Sequence, residues 1–144
     1  MSHRVRTKLS IKNPCYISPE RMLELRHFVH QYEEWVKALK EWSFKYGGIR
    51  YGSMSYGDRL ATPKPTEEQA ELRDYYISRI MMVEDALTEA FDELPPKVWN
   101  CVLEAITTNK SYDWLKTKHN VPFGKDYYFR RYRKFYWLLD KVRK

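Results

Sequence analysis

Two histidines one helical turn apart are the residues of this sequence best suited to bind a metal ion. His27 and His30 are separated by three positions, and Glu34 follows one turn later. On a helix this spacing puts all three side chains near one face, and imidazole and carboxylate are both zinc ligands. A closed zinc site needs four ligands, and the sequence offers no further ligands at a suitable spacing. We therefore expect no metal site.

Catalysis by a nucleophile or by paired carboxylates has little support. Cys15 and Cys101 are the only cysteines, and because they are far apart and nothing pairs either with a histidine, we expect both to be small buried hydrophobic residues. Pairs such as Glu33-Glu34 are ordinary solvated charges of a helix surface. No Gly-x-x-x-x-Gly-Lys run is present to bind phosphate. We expect no enzyme and no cofactor.

The basic residues near the C-terminus carry the strongest chemical signal. An arginine fork can bond guanine edges or phosphates, and a lysine acts as a point charge on a phosphate. The positions from residue 110 onward alternate such cations with aromatic residues. The predicted DNA contacts are Lys110, Ser111, Lys116 and Lys118, near the DNA backbone, and Lys125, Tyr127, Arg130, Arg131, Arg133, Lys134 and Lys141, on one helix.

The charge is unevenly distributed along the chain. Residues 1–65 hold 12 basic and 6 acidic residues, 66–96 hold 2 and 9, and 97–144 hold 12 and 4. The net charge is +7. A surface that only solubilises the protein would mix its signs, so an acidic middle and a basic end indicate regions with different roles. The basic end points to a polyanion as partner.

Length and composition indicate a folded protein of one domain's size. The chain has 144 residues, of which 43% are hydrophobic and 16% aromatic, too many for a solvated disordered segment. No apolar run approaches the roughly 18 residues that a membrane span needs. The start, from Met1 to Arg6, lacks the apolar stretch of a signal peptide. We expect a soluble cytoplasmic protein without a membrane partner.

Helical periodicity predicts an all-α fold. A helix of about seven turns begins at Ser18-Pro19, and a second begins at Thr66, where Gln69 completes a capping box. Pro95-Pro96 ends the second helix, and a third follows from Lys97. The predicted organisation is a basic arm at 1–17, a helical scaffold at 18–94 with a Gly/Tyr-rich loop at 47–65, and a DNA-binding unit at 95–144.

The last third of the chain has the pattern of a helix-turn-helix. Ser111 caps a short helix that ends at His119, and Asn120 tolerates the left-handed backbone of a turn. A basic helix then runs from Gly124 to about Arg143, with Tyr128, Tyr132, Phe135, Tyr136, Leu139 and Val142 predicted on its buried side. The second helix of such a unit can enter the major groove of DNA.

Residues 94–139 are similar to region 4 of sigma-70-type factors. The similar positions are Leu94-Pro95, Val102-Leu103, Ser111-Tyr112, Leu115, Val121 and the helix from Gly124. Within that group the chain most resembles the small phage-encoded transcriptional regulators of the ArpU/RinA type. The resemblance implies sequence-dependent binding of double-stranded DNA by a phage or mobile-element regulator that acts with host RNA polymerase.

Two alternatives remain open at this point. A small terminase-like packaging protein would also be basic, helical and oligomeric. The second alternative is a phage protein that inhibits a host nucleic-acid enzyme, such as an RNA-guided nuclease. It would bind its target through the acidic helix predicted within 66–96 or through the basic face of the last helix. The long apolar stripes also suit a homodimer, which would match a two-fold DNA site.

Overall fold

The computed structural model describes residues 13–47 and 64–143. Every regular element in these residues is a helix and none is a strand, so the predicted all-α class is confirmed. The described residues form two compact units, one from 13–31 and 82–143 and the other from 32–47 and 64–81. Most of the predicted basic arm and of the Gly/Tyr-rich loop lies outside the described residues.

The first predicted helix is in fact two helices. Helix α1 spans Pro19–Val29 and α2 spans Tyr32–Trp42. The N–H of Gln31 donates to the Phe28 carbonyl at 3.2 Å, a bond to the third residue back rather than the fourth. The side-chain amide of Gln31 donates to the His27 carbonyl at 3.4 Å. In a continuous helix that carbonyl would instead accept the backbone N–H of Gln31. The apolar spacing continues through this break, and the prediction of one seven-turn helix was therefore wrong.

Helix α3 spans Glu67–Ala90 and α4 spans Pro96–Thr107. The predicted capping box is present at the start of α3. The Thr66 N–H donates to Gln69 Oε1 at 2.8 Å, and the Gln69 N–H donates to Thr66 Oγ1 at 3.2 Å. Two of the orphan N–H groups of the first turn are thereby satisfied. Pro96 begins α4 because a proline has no N–H to lose at that position.

The second unit contains the end of α2 and the start of α3. The Trp42 indole N–H donates to the Gln69 carbonyl at 2.8 Å. The guanidinium of Arg73 lies 5.5 Å from the centre of the Trp42 ring. Tyr46, in the π-helical turn Ser43–Gly47 that follows α2, packs against the same ring at 5.1 Å between centroids. A single tryptophan thus connects α2 to the first turns of α3.

Two further helices complete the first unit. Helix α5 is the single turn Tyr112–Trp114, which continues as a π-helix over Leu115–His119, and α6 spans Lys125–Val142. Ser111 Oγ accepts the N–H of the third residue of α5 at 3.1 Å, which confirms it as the cap. Asn120 has φ 49° and ψ 51°, the left-handed conformation predicted from its type. Local sequence signals therefore located both helices and the turn between them.

Substitution of Asn120 tests this turn. Asn120→Ala is expected to lower the free energy of unfolding by about 1 kcal/mol, because a Cβ-bearing residue without a short polar side chain is strained at positive φ. Asn120→Gly should leave stability nearly unchanged, since glycine adopts this conformation freely. Urea unfolding curves of both variants provide the measurement. An equal loss in both variants would show that the amide side chain, and not the backbone angle, matters.

The core of the first unit is built from α1, α3, α4 and α6, together with α5 and the turn that follows it. Its main buried side chains are Leu25, Phe28, Val29, Val83, Leu87, Phe91, Val102, Ile106, Tyr112, Leu115, Val121, Tyr128, Phe135, Tyr136 and Leu139. Val142 was predicted on the buried side of the last helix and is 55% exposed, because it lies in the terminal turn of α6. Cys15 and Cys101 were predicted to be buried, and both are free thiols that are only partly buried.

Candidate nucleic-acid interface

The turn between α5 and α6 is held by contacts from both sides. The Tyr112 hydroxyl donates to the Phe123 carbonyl at 2.7 Å. The ammonium of Lys116 donates to the Val121 carbonyl at 3.2 Å. The rings of Phe123 and Tyr128 are stacked, with centroids 6.1 Å apart. These contacts fix the start of α6 relative to the short helix before it.

Helix α6 has two opposite faces. At about 100° per residue, one line of residues lies opposite the buried side that includes Tyr128 and Leu139. We call this line the outer stripe; it consists of Arg130, Lys134, Trp137 and Lys141. Its members lie within about 60° of one another around the axis, and the stripe is roughly 16 Å long at 1.5 Å per residue. Three of its four residues are cationic.

The cations of the outer stripe differ in what they contact. Arg130 is exposed and Lys134 is partly exposed, and neither has a hydrogen bond or ion pair with any residue in 13–47 or 64–143. The ammonium of Lys141 lies 3.5 Å from the centre of the Trp137 ring. Two cations separated by one helical turn are therefore available to an external anion.

Arg131 points to a neighbouring helix end instead. Its guanidinium donates to the carbonyl of Ala90, the last residue of α3, at 3.4 Å, and lies 3.8 Å from a carboxylate oxygen of Asp92. It also lies 5.1 Å from the centre of the Tyr127 ring. A cation at a helix C-terminus is stabilised by the negative end of the helix dipole. These contacts give Arg131 a structural role within the first unit.

Arg131→Met is therefore expected to destabilise the protein by about 1 kcal/mol, since it removes a hydrogen bond and a favourable charge at the end of α3. Arg130→Met is the matched control, because it removes the same group from a position without partners and should change stability by less than about 0.5 kcal/mol. Chemical denaturation of the two variants measures the difference. Equal stabilities would contradict the structural role of Arg131.

The other residues of α6 that were predicted to contact DNA already interact with groups of the protein itself. The ammonium of Lys125 lies 4.0 Å from a carboxylate oxygen of Asp113, at the surface, where such a pair contributes little. Arg133 is half-buried and also has an interaction partner. The Tyr127 ring packs 5.3 Å from that of Phe123 and is half-buried. Tyr127 and Arg133 border the outer stripe, whereas Lys125, at the start of α6, lies about 120° around the axis from it. None of the three is free.

The residues predicted near the DNA backbone lie around α5. Lys110, Ser111 and Lys118 are exposed. Ser111 already accepts a backbone N–H as the helix cap. Lys110 and Lys118 have exposed side chains without an ion pair among the described residues. Among the described residues, these two ammonium groups on either side of α5 are thus free of ion pairs.

Three tyrosines line the buried side of α6. Burial raises the pKa of the Tyr128 hydroxyl and of the Tyr136 hydroxyl far above the ordinary value of 10.0, because a phenolate would lose its hydration. Burial also raises the pKa of Tyr132, which hydrogen-bonds with Tyr136. All three are neutral at physiological pH. The charge of α6 is therefore confined to its accessible sides.

The described residues contain neither a cluster of metal ligands nor a helix that could span a membrane. In 13–47 and 64–143, no three side chains of His, Cys, Asp or Glu lie close enough to share a metal ion. None of the helices in these ranges is both long and apolar enough to cross a membrane.

Comparison with known protein families, curated proteins and solved structures finds no match. The resemblance to phage regulators therefore rests on the residues quoted for it in the sequence. The geometry and charge of α6 are the features from which a function can be inferred.

Proposed function

We propose that this protein binds double-stranded DNA in a sequence-dependent way through the outer stripe of α6. The observation that carries the proposal is the pair Arg130 and Lys134, two cations on the side of α6 opposite the core that have no partner in 13–47 or 64–143. A like-signed, unpaired pair one turn apart slightly opposes helix stability, so folding does not account for it. Phosphate would neutralise both charges.

The dimensions of α6 fit the major groove of B-form DNA. The groove is about 12 Å wide and admits one helix. A stripe roughly 16 Å long exceeds this width, so that Lys134 and Lys141 can meet phosphates while Arg130, near the start of the helix, faces the bases. Arg130, nearer the start of the helix, is the candidate for guanine readout, and Lys134 and Lys141 are candidates for phosphate contact. Lys110 and Lys118 would hold the backbone of the same duplex.

The proposed role is that of a phage or mobile-element transcription regulator in the bacterial cytoplasm. It acts as a binding protein and not as an enzyme. The resemblance to region 4 of sigma-70-type factors suggests that host RNA polymerase is a partner. A homodimer would present two copies of α6 to a two-fold DNA site.

Selection from a random duplex library at several salt concentrations, followed by sequencing, tests the proposal. We expect an enriched motif and an affinity that falls steeply with salt. The spacing of half-sites in the motif would report whether the protein binds as a dimer. Weak binding without enrichment would contradict sequence-dependent recognition and favour the inhibitor of a host enzyme.

A further inference from the structure

A groove lies within the first unit, between the second half of α3 and the last turns of α6. It has a volume of about 250 Å³. Ala86 of α3 and Leu138 and Val142 of α6 contribute apolar atoms, and Asp85 and Glu89 of α3 contribute carboxylates. The groove is thus apolar with acidic groups on one side.

The size of the groove indicates its class of ligand. Pockets for cofactors and drug-sized molecules have volumes of about 300 to 1,000 Å³ and enclose most of the ligand. A groove of 250 Å³ between two helices is smaller and accommodates one or two side chains. Val142, 55% exposed, leaves apolar surface uncovered there. A side chain of another protein segment fits this site better than a small molecule does.

The charge of the groove indicates the chemistry of that segment. Asp85 and Glu89 lie one helical turn apart, where like charges repel. Both are exposed, and neither forms an ion pair with any residue that the structure describes. Lys141 also lines the groove, but its ammonium lies over the ring of Trp137. The negative charge beside the apolar surface is therefore left for a cation from outside.

We propose that this groove docks a short segment of a partner protein, in which a large apolar side chain is adjacent to a lysine or arginine. The apolar side chain would cover Leu138 and Val142, and the cation would pair with Asp85 and Glu89. Leu138 and Val142 lie about 80° to 120° around α6 from Arg130, so the groove adjoins the outer stripe and the two surfaces share only Lys141. The inference stands independently of DNA binding.

Selection from a random displayed-peptide library on the full chain tests the proposal. We expect enriched peptides that combine a large apolar residue with Lys or Arg, and binding that weakens with salt. The double variant Asp85→Asn with Glu89→Gln should weaken the enriched peptides at least tenfold, and Val142→Ser should weaken them several-fold. All three positions are exposed, and circular dichroism checks that each variant is folded.

The same helix provides a matched control. Glu67→Gln with Glu71→Gln removes two exposed carboxylates at the same spacing from the first turns of α3 and should leave peptide binding unchanged. Failure to enrich any peptide, enrichment of acidic peptides, or equal effects of the two double variants would overturn the proposal. Self-association that only the Asp85 and Glu89 variant abolishes would also overturn it, because the occupant would then be a second copy.

Discussion

Replacing Arg130 and Lys134 together by alanine is expected to weaken duplex binding about tenfold or more. One base contact by an arginine fork contributes about 1–3 kcal/mol, and tenfold corresponds to about 1.4 kcal/mol. The slope of log K against log salt should also become shallower by about 0.9 for each phosphate that the variant no longer neutralises. Fluorescence anisotropy with the selected duplex, measured at several salt concentrations, provides both quantities. Neither side chain has an internal partner among the described residues, so stability should be unchanged.

The control for this variant must remove the same charge from elsewhere. Lys37→Ala with Lys40→Ala removes two exposed lysines about one turn apart on α2. If the DNA affinity of the protein came only from its net charge of +7, both double variants would weaken binding equally, and the outer stripe would not be the interface. If the stripe is the interface, only the α6 variant changes affinity and salt slope strongly. A protein without measurable duplex affinity in the unsubstituted form would instead contradict DNA binding itself.

The sequence predicted those elements whose signals are local. Ser111, the capping box at Thr66 and the left-handed Asn120 each depend on residues within about four positions, and the structure confirms all three. The break between α1 and α2 was missed, although it is also local. Gln31 competes with the backbone for a carbonyl there without interrupting the apolar spacing. Periodicity reports which side of a helix is apolar, and it does not report whether the backbone is continuous.

Contacts between residues that are distant in the chain could not be predicted from the sequence. Helical spacing places Arg131 about 100° around α6 from Arg130, but it does not say which partner Arg131 meets there. The contact of Arg131 with Ala90 joins residues 41 positions apart, and only the packing of α6 beside the end of α3 reveals it. The docking groove is likewise made by two helices that are distant in sequence. The candidate site was thus predicted as a cationic helix, whereas its division into free and engaged cations required the fold.

Strong alkaline destabilisation is the second large effect expected, and its cause is the tyrosine side of α6. Tyr128, Tyr132 and Tyr136 have ring centroids 5.9 Å and 5.0 Å apart in succession. Burial raises the pKa of each in the folded state above the ordinary 10.0. A raised pKa in the folded state means that the native protein favours the neutral phenol. The stability that each buried tyrosine contributes in this way is complete below pH 10, and it is lost as the pH rises from 10 toward the folded-state pKa. Tyr128 and Tyr136, whose folded-state pKa values lie far above 10, each cost about 1.4 kcal/mol of stability per pH unit above 10.

We therefore expect stability to fall steeply above pH 10 and the protein to unfold cooperatively at strongly alkaline pH, with buried tyrosines ionising as the fold is lost. Tyr128 and Tyr136 together would cost about 3 kcal/mol one pH unit above 10, a substantial part of the roughly 5–15 kcal/mol that a domain typically has. Phenolate absorbance and circular dichroism, followed in parallel, should show one coincident transition.

The variant Tyr136→Phe should lose about 1 kcal/mol of stability at neutral pH, because it loses its hydrogen bond to Tyr132. Its stability should nevertheless depend less steeply on alkaline pH. Tyr75→Phe, at a 44% exposed position, should leave that pH dependence unchanged. Ionisation of all tyrosines before any loss of helix would show that this side of α6 is open to water, and the assignment of charge to the opposite side of the helix would fail with it.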